Sequence, residues 1–301
     1  MINNYYIFGL NIASELPLPS FAVPDFQHDQ PDVTINYGDT PDALTDPRVK
    51  GVRFQAAPGE FLLRVDNVSR FYVRDGNRIT ITPETGANED DILIFLMGSA
   101  FGALLHQRNI LVLHGSAIAV NGQSIAFCGP SGIGKSTLAA GFHQRCYPFL
   151  ADDLCAISIC DGRPAVIPGF PRLKLWVDTL KKLDTSKDQL KSVRWGVDLK
   201  KYFLPVDSCQ HTPAPLQAVF ILGSTNKETM TITPLPGNKK IDPLIENTYR
   251  MRFLHGLGGK KTHFKQCAAV AAKAEVYRVV RPDKGFRLNE LIDMVTEHFR
   301  S

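Results

Sequence analysis

The chain lacks any C-x-x-C pair, and its six cysteines, at 128, 146, 155, 160, 209 and 267, show no Cys/His spacing of a zinc site. Structural zinc is therefore not expected, and a reduced, cytoplasmic compartment is the simplest home. The opening Met-Ile-Asn-Asn-Tyr-Tyr lacks the basic start of a secretory signal and soon meets Pro17 and Pro19, which argues against export by that route. Long hydrophobic runs are missing too. The most apolar stretch, 92–105, is 14 residues long and contains Gly98 and Gly102, short of the roughly 20 that a bilayer-spanning helix needs. A buried helix is expected there, and no membrane partner. Nor does one charge sign prevail: 34 Lys and Arg against 30 Asp and Glu leave +4, too mild for a nucleic-acid surface, so no nucleic-acid partner is expected.

What remains is an ordinary globular composition, 44% hydrophobic and 21% charged over 301 residues, enough for one large domain or two medium ones. Within it stands Gly129-Pro130-Ser131-Gly132-Ile133-Gly134-Lys135-Ser136, which fits the G-x-x-x-x-G-K-[ST] phosphate-binding loop. That pattern needs a buried strand before it and a helix after it. The apolar run 124–128 and the breaker-free stretch 137–145 supply both. Backbone N–H groups of such a turn, with the positive end of the helix, form an anion site. Gly129, Ser131, Gly132, Ile133, Gly134, Lys135, Ser136 and Thr137 are thus the candidate nucleotide-binding residues. Lys135 would meet the terminal phosphates, and the Ser136 hydroxyl would ligate the accompanying Mg2+.

Residues 1–87 read as a small β-rich domain. Short β-prone runs at 6–8, 33–35, 61–63 and 71–73 are separated by Pro, Gly, Asn and Asp. Asp75-Gly76 between two such runs signals a hairpin, and no catalytic constellation stands in this region. Asn88 followed by Glu89, Asp90 and Asp91 marks a capped helix start, opening residues 88–301 as an α/β domain around the phosphate loop. Its helix is expected to run to about Arg108, followed by a strand ending at His114-Gly115-Ser116.

Beyond the loop helix, 149–151 reads as a strand ending in Asp152 and Asp153. Ligands and catalytic groups of open α/β sheets gather at the C-terminal ends of strands. A nucleotide site needs a carboxylate for the metal and, where phosphate goes to a hydroxyl, another group to take the proton. Strand period alone leaves open which aspartate faces the nucleotide. Residues 181–201 are polar and basic around Trp195, either a solvated helix or mobile flap, or a flap that contacts an acidic peptide or shields the phosphates. Further strands are expected at 216–222, 229–233 and 276–280, and helices at 244–254, 262–273 and 288–299. Arg250 or Arg252, on the first of these, is a candidate for balancing transition-state charge.

Leu113-His114-Gly115-Ser116, the turn Val120-Asn121-Gly122, the phosphate loop and Leu150-Ala151-Asp152-Asp153 together resemble the catalytic domain of HPr kinase/phosphorylase, a serine protein kinase built on a phosphate loop. The resemblance spans residues 110–155. It implies that fold, a mixed sheet with flanking helices, ATP and Mg2+ as cofactors, Asp153 as the base, His114 assisting at the phosphoryl centre and Lys135 holding phosphate. Ser136 and Asp152 would serve the metal, with Asp178 a further candidate in the segment 171–178. That segment stands where the family carries Glu-Ile-Arg-Gly. The Pro-x-Arg-Pro-Gly-Arg segment has no counterpart, so the reverse phosphorylase reaction is not implied.

Gly9 to Pro19, Leu104 to Arg108, Arg172 to Trp176 and Tyr277-Arg278-x-x-Arg281-Pro282 are similar to the HPr-kinase-like proteins of lasso-peptide biosynthesis. These phosphorylate the C-terminal serine of a precursor peptide, and the similarity implies such a peptide as partner. A bifunctional kinase/phosphorylase and a non-catalytic nucleotide-dependent peptide-binding protein are the alternatives. Assembly into a homo-oligomer is left open.

Overall fold

The computed structural model describes residues 2–18, 30–183, 185–186, 190–192, 200–206, 212–285 and 287–299. It is a mixed α/β chain that separates into two compact units. One holds residues 1–112 and 249–263 with Ser192 among the described residues, and the other holds 113–191, 200–248 and 264–301.

The first unit is built on an eight-stranded sheet: β1 (Asn3–Ile7), β2 (Leu10–Ser14), β3 (Val33–Tyr37), β4 (Val49–Lys50), β5 (Phe54–Ala57), β6 (Glu60–Val65), β7 (Ser69–Arg74) and β8 (Arg78–Pro83), in the order β1-β2-β3-β8-β7-β6-β5-β4. Alternation sets the core. Phe71, Val73, Ile79 and Ile81 are buried while their chain neighbours on β7 and β8 face outward. The β7–β8 turn is where Asp75-Gly76 predicts it, and both residues adopt positive φ, 54° and 66°.

The helical stretch, expected with the phosphate-loop domain, groups with this first unit instead. It runs as α1 (Glu89–Phe95), a π-helical turn at Leu96–Ala100 and α2 (Phe101–Gln107). Asn88 Oδ1 caps its start, accepting from the Asp90 N–H at 2.8 Å. The π-turn holds Gly98, where an added Cβ would stand 3.5 Å from the Tyr249 hydroxyl, an ordinary van der Waals contact, so packing there does not demand a glycine.

Later in the chain β9 (Leu111–Val120), β10 (Gln123–Cys128), β11 (Phe149–Ala151), β12 (Leu154–Cys160) and β13 (Arg163–Ile167) precede β14 (Arg172–Trp176), β15 (Lys191–Ser192), β16 (Lys201–Pro205), β17 (Ala214–Thr225), β18 (Thr231–Pro234) and β19 (Glu275–Pro282), most of them in the second unit. The main sheet runs β10-β9-β12-β13-β17-β19-β18, β11 pairs with β9, and β10 also pairs with β17, so five strands close on themselves. The β10–β17 and β17–β19 pairs are parallel. A smaller sheet has β16 between β14 and β15.

The helices are α3 (Lys135–Gln144), α4 (Val177–Lys182), α5 (Ile241–Glu246), α6 (Met251–Leu257), α7 (Lys260–Lys273) and α8 (Leu288–Glu297). The expected single helix 244–254 is two, because Arg250 takes a left-handed φ of 48° between α5 and α6. Phe127, Phe142, Phe149 and Phe220 form the core of the second unit with Ile292 and Val295 of α8. Leu173 and Leu175 of β14 join the same cluster, which leaves Arg172, Lys174 and Trp176 on the other face of the strand.

Candidate active site

The loop 129–136 lies where β10 turns into α3, and backbone conformation explains its glycines. Gly134, the residue before α3, has φ 106°. At Gly129 (φ 142°) an added Cβ would stand 2.6 Å from the Leu222 carbonyl of the neighbouring parallel strand. Ser131 and Gly132 at the tip are exposed. Arg281, near the end of β19, donates from Nη2 to the Ile133 carbonyl at 2.8 Å and so ties the loop to the sheet.

Lys135 is buried, and its ammonium donates to the Gly129 and Pro130 carbonyls at 2.9 and 3.1 Å. Burial pushes its pKa down, while Cys128 and the two aspartates act the other way. Thr137 Oγ1 meets Thr179 Oγ1 at 3.3 Å.

Asp152 and Asp153 fill the bend between β11 and β12. Asp152 Oδ1 accepts from Ser116 Oγ at 2.6 Å and from Ser136 Oγ at 2.8 Å, while its Oδ2 accepts from the Lys174 backbone N–H at 2.8 Å. Burial raises its pKa, and these hydrogen bonds pull against that rise. Asp153 has a left-handed φ of 70°, and this turns its carboxylate toward different partners. His114 Nδ1 lies 3.2 Å from Oδ1 and Lys174 Nζ 3.2 Å from Oδ2. Burial would raise the Asp153 pKa, but the charge of Lys174 and the hydrogen bond from His114 outweigh it and hold the carboxyl well below the usual range.

His114 lies inside β9 rather than at a strand end, because the strand expected to end at 114–116 runs on to Val120. Asp178 is exposed in the first turn of α4, one residue before the Thr179 that meets Thr137. Arg250 and Arg252 are engaged within the first unit. Arg250 lies 5.7 Å from the Phe253 ring, and Arg252 donates to the Lys50 carbonyl at 3.0 Å. Trp195, Lys187 and Arg194 of the basic segment, and Pro19, lie outside the described residues. The end of that segment is a strand: Lys201 begins β16.

The geometry adds residues to which the sequence assigned no role. Ser116 reaches Asp152 across 36 positions of chain. Lys174 serves both aspartates, one through its backbone and one through its ammonium. Arg172 stacks on Phe203 with its guanidinium carbon 3.8 Å from the ring centroid, and Lys201 stands 4.3 Å from the Trp176 centroid. The alternation Arg172-x-Lys174-x-Trp176 was the available signal.

Ser136 and Asp152 present a hydroxyl and a carboxylate, the hard oxygen donors that suit magnesium. Ser136 donates to Asp152 Oδ1 and keeps its oxygen lone pairs, and Asp152 Oδ2 accepts only from the Lys174 N–H, so both residues retain the capacity to hold such an ion. Two adjacent carboxylates thus hold separate posts, one at the phosphate-loop hydroxyl and one ionised between a histidine and a lysine.

No family model and no curated protein matches the chain. Among solved structures it is similar to the Hpr(Ser) kinase/phosphatase from Coxiella burnetii, at 11% identity and a TM-score of 0.36, covering 62% of this chain and 90% of that one. That likeness is too low to carry the fold. Among the described residues no helix is long and apolar enough to cross a membrane.

Proposed function

We propose that the protein is an ATP- and Mg2+-dependent kinase that transfers the terminal phosphoryl group to a serine hydroxyl, with the C-terminal serine of a lasso-peptide precursor as acceptor. The observation that carries this reading is the division of labour at residues 152 and 153. Asp152 is locked to Ser136, and Asp153 is held ionised beside the loop by His114 and Lys174. Binding a nucleotide does not require the second carboxylate; taking a proton from a hydroxyl does.

The loop amides and Lys135 receive the phosphates, with the ammonium exchanging its contacts to the Gly129 and Pro130 carbonyls for phosphate oxygens. Bound magnesium supplies charge neutralisation between the phosphates. The acceptor oxygen forms a bond to the terminal phosphorus as the bridging P–O bond breaks and ADP leaves. The hydroxyl proton passes to the Asp153 carboxylate. In a loose transition state that proton is released late, so a carboxylate with a low pKa is sufficient, and the protein's task is positioning and charge stabilisation. His114 orients Asp153 through its Oδ1.

Mass spectrometry of serine-terminated precursor peptides incubated with the protein, ATP and magnesium tests this. A gain of about 80 Da, one phosphoryl group, is expected with the native chain and is lost in Lys135→Ala. Full transfer by Asp153→Asn with unchanged nucleotide affinity would remove Asp153 from the role of base.

A further inference from the structure

The ribbon formed by β14 and β16 carries an outward face that phosphoryl transfer leaves unassigned. Across the strands Arg172 pairs with Pro205, Lys174 with Phe203 and Trp176 with Lys201. The cations are interleaved with rings, Arg172 on Phe203 and Lys201 on Trp176, while Lys174 reaches Asp153 at 3.2 Å.

The connection from β14 into α4 orders the groups along this face. Trp176 leads directly into α4, whose Thr179 Oγ1 meets Thr137 Oγ1 of α3 at 3.3 Å, so the Trp176–Lys201 end of the ribbon stands on the loop side. Arg172 stands at the opposite end, beyond Lys174 and its contact to Asp153, on the side left for an acceptor. Two residues of strand separate it from Lys174, about 7 Å of rise.

Arg172 is also built to receive an anion. Among the described residues its guanidinium makes no hydrogen bond to another side chain or carbonyl; the residue is half-buried, and burial lowers its pKa to about 10. Stacking on Phe203 fixes the plane and leaves the N–H edge free, the geometry that forks a carboxylate.

We propose that Arg172 is a specificity-determining residue that binds the carboxylate next to the acceptor hydroxyl, which in a C-terminal serine is the residue's own α-carboxylate. Acceptor choice then depends on a free chain end, because an internal serine presents a neutral peptide group at that position. This assignment rests on the phosphoryl-transfer reading above for the identity of the acceptor, but it is testable without turnover.

The probes are three synthetic decapeptides: one ending in serine with a free carboxylate, the same sequence as its C-terminal amide, and an amide with aspartate after the serine. Their binding is measured by calorimetry on the full chain with magnesium and a non-transferable ATP analogue. The native protein is expected to bind the free acid about tenfold or more tighter than the plain amide, the effect of a charge-assisted fork. In Arg172→Gln that ratio falls to about one, and in Arg172→Lys it is partly restored. Analogue affinity reports that each variant is folded.

Equal binding of acid and plain amide by the native chain, binding of neither, or an undiminished ratio in Arg172→Gln overturns the proposal. So does an aspartyl amide that binds as well as the free acid, because the site would then read a side chain. Discrimination without phosphoryl transfer would count against the kinase alone and leave the carboxylate subsite standing.

Discussion

Asp152 and Asp153 are neighbours in the chain with opposite environments, and the difference lies in one backbone angle. With both in extended conformation their side chains would simply alternate; the left-handed φ of 70° at Asp153 instead delivers them to separate sets of donors. Non-glycine residues adopt that region in a few per cent of cases, so nothing in Ala-Asp-Asp-Leu announced it. The pair was legible as a candidate, and the partners of each member were not. Asp152 accepts from two hydroxyls and one N–H, which gives a direct expectation. Asp152→Ala strands three donors and is expected to lower stability by on the order of 3 kcal/mol. Asp152→Asn can still accept from the Lys174 N–H while Ser116 and Ser136 rotate to accept from its amide, and should cost far less. Urea unfolding of the two variants, read at constant m-value, checks this. Equal losses would mean that the charge, not the hydrogen bonds, holds the bend.

At the scale of elements the phosphate loop was readable because everything that defines it is local: an apolar strand, glycines at positions that need positive φ, and a helix. Long-range pairing was not. The ribbon of β14 and β16 joins residues 25 to 33 positions apart in sequence, and Lys201 looked like part of a solvated basic run until its strand partner was known. The break between α5 and α6 was hidden for another reason. Neither Gly nor Pro marks it, and Arg250 is held left-handed while Tyr249 N–H donates to the Val112 carbonyl at 2.8 Å.

Helix α2 carries a pH expectation of its own. His106 is buried with Nε2 2.8 Å from the Tyr249 carbonyl, and burial lowers its pKa to about 4 from an ordinary 6.5. Unfolded chains therefore take up a proton between those values that the folded chain refuses. Stability is full above about pH 6.5, declines as pH falls toward 4 and changes no further from this group below that, a loss of about 3 kcal/mol. Urea midpoints between pH 7.5 and 4.5 should show that slope. His106→Gln, which can still donate to the Tyr249 carbonyl but does not titrate, should flatten most of it, leaving the smaller share of His255 and His263, whose pKa values burial also lowers. An unchanged slope would place the acid sensitivity elsewhere.

At the scale of the molecule, all the groups of the candidate site belong to the second unit: His114, Ser116, the loop 129–136, the two aspartates, Arg172, Lys174, Lys201 and Arg281. Composition and the loop pattern made a mixed α/β unit around residues 129–136 legible, but no sequence signal showed that the helices 89–107 and 251–257 would join the strands of the first unit, because that is decided by packing such as Phe253 on Phe54 and Phe61, each with centroids 4.5 Å apart. Confinement of the site to one unit makes ligand linkage the natural whole-chain measurement. A ligand that binds only the folded state at a hundred times its dissociation constant stabilises by about 2.7 kcal/mol, which for a unit of this size corresponds to a rise of roughly 5–10 °C in melting temperature. ATP with magnesium is expected to give such a rise, ADP most of it and AMP little, because the loop amides and Lys135 address phosphates beyond the first. Lys135→Ala should lose the shift while keeping the unliganded melting temperature near that of the native chain, since burial disfavours the ammonium and offsets part of what its two carbonyl contacts contribute. A shift with AMP equal to that with ATP, or one that survives Lys135→Ala, would mean that the nucleotide is held by its base and sugar rather than by the loop, and the phosphate grip assigned to residues 129–136 would have to be abandoned.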